Sequence, residues 1–224
     1  MTPTQLKARI TDMFETLFPT ATEPELDLVP RKLTDGKIYE AYVLAVLAGQ
    51  LSSREGLALE LVNGKHIQLK SGHGPINRRF PHLEVKRAGN LVGEIWTDVE
   101  FLTLSYWQSS RTTLTKGDYH ELDILMVSPG ASSRPRHDQV ILGVECKNLS
   151  FDKGLLKNIL GIRRELSFFQ GNKPTAFTSW PRSMVPAKPA SCLLVYSSSQ
   201  EVLEYSNPGE VFGIDFYHEA LPST

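Results

Sequence analysis

The stretch from His120 to Lys147 constrains this chain most: HELDILMV, a Ser/Pro/Gly-rich segment SPGASSRPRHD, then QVILGVECKN. Side chains alternate faces along a strand, so ELDILMV places Glu121 and Asp123 on one face and Leu122, Ile124 and Met126 on the other. In VILGVECKN the same period puts Glu145 with Lys147, and Val144 with Cys146 toward a core. The loop composition predicts an antiparallel hairpin, which brings the two polar faces together. Two carboxylates and a lysine then share one site. Hard divalent ions such as Mg²⁺, with Mn²⁺ as a substitute, take oxygen ligands of the kind Asp123 and Glu145 supply. A neighbouring lysine orients or deprotonates water and offsets charge developing on phosphate oxygens, the role expected of Lys147.

These residues resemble the PD-(D/E)xK nuclease superfamily. Asp123 stands where that family has its strand acid, Glu145-Cys146-Lys147 matches its ExK, and Leu122 occupies the position of the motif proline. The resemblance covers the middle third of the chain. It implies an α/β restriction-endonuclease-like fold: a mixed central β-sheet flanked by helices, in a single domain over 1–224 with 55–106 as a β-rich insertion or subdomain. It further implies a Mg²⁺-dependent endonuclease that hydrolyses DNA phosphodiester bonds by in-line attack of water. Relatives serve prokaryotic restriction, anti-phage defence and repair, often as a homodimer or in assembly with a partner regulatory protein. The family's first helix often carries a glutamate facing the metal, which makes Glu40 a catalytic and metal-ligand candidate. Glu40 sits among Ile38, Tyr39, Ala41, Val43 and Leu44, where a carboxylate needs a partner; a surface glutamate near a helix start is the plainer reading.

The remaining chain supplies context. Its 224 residues are 41% hydrophobic with a net charge of −1, enough apolar material for a sizeable core and too little charge for a general polyanion binder. No apolar run reaches membrane-span length, and two cysteines, Cys146 and Cys192, exclude a disulfide framework, so a cytoplasmic setting is expected. Basic residues concentrate at Lys65, Lys70, Arg78, Arg79, Lys86 and Arg87, with His66, His73 and His82 between them and Glu84 the only acid. That stripe suits either a phosphate-tracking surface or a solvated hairpin.

Helices are expected over Thr4–Phe18 and Lys37–Leu51, joined by the proline-punctuated 18–30. A hairpin is expected about Asn63-Gly64, pairing LALELV with KHIQLK, followed by two strands about Ala88-Gly89-Asn90. Asp98 and Glu100, two apart in TDVEF, could add acid to a site, but read more simply as the wet face of a half-buried sheet. Glu84-Val85-Lys86 is a second ExK, without a preceding strand acid or a following helix, and reads as an edge strand. A helix from about Phe151 to Phe169, capped by Ser150 or Asp152, presents Lys153, Lys157, Arg163 and Arg164 beside the hairpin. From Gly171 the chain is irregular and proline-rich up to a buried strand SCLLVYSSS, and EVFGIDFYHEAL adds a helical turn or edge strand. Glu121, His120 and Lys157 are auxiliary site candidates. Two other readings stand beside the nuclease: a catalytically silent nucleic-acid- or protein-binding member of the same fold, and a hydrolase using Cys146 with His120.

Overall fold

The structure, a computed structural model, describes residues 3–17, 34–64, 67, 69 and 72–222. Helix α1 (Pro3–Leu17) puts Leu6, Ile10 and Phe14 on one buried stripe. Helix α2 (Asp35–Glu55) is apolar around most of its circumference and correspondingly buried. The Thr34 hydroxyl accepts from the Lys37 N–H at its start, and Gly56, left-handed at φ 63°, ends it.

Strands β1 (Ala58–Val62), β2 (His82–Arg87), β3 (Asn90–Leu102), β4 (Tyr119–Val127) and β5 (Val140–Lys147) form an antiparallel run. Among the described residues the sheet has seven strands, since β8 (Cys192–Ser197) joins β5 in parallel and β9 (Ile214–His218) joins β8, in the order β1-β2-β3-β4-β5-β8-β9. Helix α3 (Leu104–Gln108) follows β3, and α4 (Lys153–Leu166) is the β5–β8 crossover, as a parallel connection requires. Between α4 and β8 a separate ribbon pairs β6 (Phe168–Pro174) with β7 (Met184–Lys188), regular structure where the sequence reads as irregular. Helix α5 (Ser206–Phe212) precedes β9. Two apolar clusters cover the sheet: α1 and α2 pack on one face with Leu83, Ile95, Ile124 and Val144, and α4 packs on the other with Val99, Phe101, Leu122 and Leu193. The chain is thus mixed α/β, with a mixed central sheet between helices. Among the described residues, no helix is long and apolar enough to cross a membrane.

The chain turns at Asn63, φ 61°, and β1 pairs with β2, Leu59 opposite Val85; the expected pairing of LALELV with KHIQLK falls on residues outside the described ones, Lys65, His66 and Lys70 among them, as does the 18–30 connector. Two sequence expectations change. Glu84-Val85-Lys86 lies on β2, which is paired on both sides, so it is not an edge strand; Lys86 reaches Glu60 and, at 3.1 Å, Glu84. The alternation in ELDILMV also breaks. Leu122 belongs to the α4-side cluster, whereas Ile124 and Met126 belong to the α2-side cluster. The slip occurs at Asp123. The facing strand slips with it, since Trp96 and Val99 share one cluster and Asp98 between them takes φ 52°.

Candidate metal and phosphate site

The matched slip in β3 and β4 is what gathers the acids. Register pairs Thr97 with Ile124 and Val99 with Leu122, so Asp98 stands opposite Asp123. On the other side of β4 the β5 ladder pairs Ile124 with Val144 and stops. There the Cys146 N–H donates to Asp123 Oδ2 at 2.6 Å, which fixes that carboxylate between β4 and β5. From the first turns of α2, Glu40 approaches the same point. One oxygen each from Glu40, Asp98 and Asp123 lies within 4.8 Å of the others.

Two lysines answer this charge. Lys37, one turn before Glu40, donates to Glu40 Oε2 at 2.5 Å and to Asp98 Oδ1. Lys147 Nζ lies 2.5 Å from Glu145 Oε2 and 3.9 Å from Asp123 Oδ2. The side chains of Asp98, Glu145, Glu40 and Asp123 are 0%, 7%, 12% and 15% exposed, so their charges interact in a poorly screened setting. Burial, reinforced by Asp123, raises the Glu145 carboxyl to about 7 against the pull of Lys147. Burial also raises Glu40 to about 7, with Lys37 opposing, and raises Asp98. For Lys37 and Lys147 burial favours the neutral amine, but their carboxylate partners outweigh it and both pKa values rise.

The sequence-predicted set thus comes together: Asp123, Glu145 and Lys147 on adjacent strand ends, Glu40 across from them. The auxiliary residues fall on the adjoining cleft. This cavity of about 740 Å³ is lined by His120, Glu121, Glu145, Lys147 and, from α4, Lys157 and Arg164. Glu121 is half exposed and lies 3.0 Å from His73 Nε2, whose ring also stands 4.0 Å from Asp98 Oδ1. His120 packs at an angle to Phe101. Of the two readings of Asp98, the structure departs from the favoured wet face: Asp98 is fully buried in the cluster, and one of its oxygens, Oδ2, has no hydrogen-bond partner among the described residues. Glu100, its companion in that reading, instead pairs with Arg134 at 2.7 Å. An orphaned buried carboxylate oxygen beside two further carboxylates fits a hard divalent cation, because oxygen donors are what such ions take.

Part of the basic stripe is engaged within the fold. Arg78 binds Glu94 through both terminal nitrogens, at 3.3 and 2.8 Å, Arg87 pairs with Glu55 at 2.8 Å, and His82 stacks on Trp96. Cys146 packs against the α2-side core, and burial with the Asp123 and Glu40 charges pushes its thiol well above the usual range. It is held as thiol, the inert form.

No protein-family model matches the chain, and no curated protein or solved structure matches it.

Proposed function

We propose that this chain is a Mg²⁺-dependent phosphodiester hydrolase acting on DNA, of the PD-(D/E)xK kind, with a restriction-endonuclease-like arrangement of its sheet. The observation that carries this reading is the convergence of Asp123, Glu145 and Lys147, with Lys147 Nζ 3.9 Å from Asp123 and 2.5 Å from Glu145, beside a cleft bearing further cations. Asp123, Glu145 and Glu40 are the residues that would hold the ion. When bound, a divalent cation supplies Lewis-acid polarisation of a phosphoryl oxygen.

The chain's own groups do the rest. Glu145, as one of the carboxylates that would hold the ion, acts in its ionised form, and Lys147 beside it orients the attacking water. Lys147 holds that carboxylate in place and presents its ammonium to the oxygens on which charge develops, a stabilisation larger in a buried site than in water. Lys157 and Arg164 on α4, on the wall of the same cleft, are placed to neutralise flanking phosphates. One observation favours a silent binding member instead: Lys37 and Lys147 already neutralise the acids as they stand.

Turnover separates the two. Supercoiled and linear DNA, with RNA as a parallel substrate, are incubated with Mg²⁺ or Mn²⁺ and the native chain, Glu145→Ala or Lys147→Ala at equal folded concentration. Metal-dependent cutting by the native chain, reduced about 10²-fold or more in both variants, is expected. Native activity that both variants retain would refute the site assignment.

A further inference from the structure

The acid cluster contains a ligand and an occupant that the ExK reading does not use. We propose that Glu40, Asp98 and Asp123 form a divalent-cation pocket in which Lys37 is the resident counter-ion, expelled when the cation binds. The proposal shares Glu40 and Asp123 with the nuclease reading and rests on it for the use of the cation, but it makes its own claim about affinity.

Geometry permits one ion to be shared. Oxygens on opposite sides of a hard divalent ion stand roughly 4–5 Å apart, and the three ligand oxygens here lie within 4.8 Å of one another. Lys37 serves two of the three carboxylates, Glu40 and Asp98, with a single charge. It leaves Asp98 Oδ2 buried and without a donor among the described residues, although a folded interior rarely tolerates an unpaired polar atom. A dication brings twice the charge and a vacant coordination position for that oxygen. Lys37 is also built to leave. Its side chain is 20% exposed on the first turn of α2, and a flexible four-carbon stem lets the ammonium swing to water without moving the helix. The only other cation-forming group facing Asp98 is His73, at 4.0 Å and itself held by Glu121 among the described residues.

Binding of Mn²⁺ to the full chain, followed by the loss of the free-ion paramagnetic resonance signal, tests this without reference to activity. Asn is the substitution of choice at Asp98, because it tolerates the left-handed φ of 52°. Asp98→Asn is expected to weaken Mn²⁺ at least tenfold. Lys37→Met is expected to tighten it at least tenfold, a direction that no folding defect imitates. Native affinity in Asp98→Asn, or no tightening in Lys37→Met with an unchanged melting temperature, overturns the proposal, as does a native chain that binds no Mn²⁺ at millimolar concentration. Cleavage read in parallel separates it from the nuclease reading. Predicted affinities without DNA cutting leave the pocket standing and sink the nuclease; metal-dependent cutting with native affinity in Asp98→Asn does the reverse.

Discussion

At the scale of single residues, the carboxylates with raised pKa set a pH dependence whose sign is fixed. Glu40 and Glu145 titrate at about 7 in the folded chain and near about 4.3 unfolded. Between those values the folded state holds more protons, so the metal-free protein loses stability as pH rises from about 4.5 to 7 and levels off above. We expect the urea midpoint in EDTA to fall between pH 5 and pH 7.5, and Glu145→Gln to flatten that fall. A midpoint that rises over this interval in the native chain would contradict the buried, mutually repelling acids described here. Glu55 behaves oppositely. Burial would raise its carboxyl, but N–H groups of Thr178, Trp180 and Ser179 and the Arg87 guanidinium overcome that and hold it well below the usual range. The stability it contributes is complete above its unfolded pKa and is lost as pH falls below about 4.

At the scale of elements, Glu55 explains how α2 is held. The last residue of the helix accepts from the backbone N–H of Thr178, Ser179 and Trp180 and from the hydroxyls of Thr178 and Ser179. Glu55→Ala strands those donors and the Arg87 charge, and should destabilise the chain by about 3–5 kcal/mol, read as a lower urea midpoint. Nothing in the local sequence SSREG announces this anchor, because the donors on Thr178, Ser179 and Trp180 lie more than a hundred positions away. The strand pair β4–β5, the capping of α4 by Asp152, and the neighbouring of Glu145 and Lys147 were legible because each follows from period-two or helical spacing within a few residues; Asp123 reaches them only through the slip in β4. Asp98 was not legible in this way. T-D-V-E reads as alternation, and only a left-handed residue in mid-strand, matched by a slip at Asp123, turns it inward.

At the scale of the molecule, cation binding should register as global stability, since an ion that binds only the folded chain adds free energy by mass action. At about a hundred times its dissociation constant the gain is about 2.7 kcal/mol. For a chain of this length that corresponds to a rise of roughly 5–10 °C in melting temperature. Mn²⁺ is expected to produce such a rise, EDTA to reverse it, and Ca²⁺ compared with Mg²⁺ to show which radius the pocket prefers; no shift with any of the three would contradict a cation site in this fold. The seven-strand order was only partly readable from the sequence. The buried SCLLVYSSS segment pointed to sheet extension, but its parallel place between β5 and β9 depends on the α4 crossover and the final segment docking together.

Lys37 carries a last consequence, for how the molecule matures. Small metalloproteins whose ligands have no internal counter-charge depend on the ion to fold at all. Here the ammonium already pairs with Glu40 and Asp98, so the newly made chain brings its own neutralising charge into the cluster. Under the proposed displacement, metal loading would follow folding as a separate event, and a cell poor in the ion would hold the chain folded, with Lys37 still in the cluster.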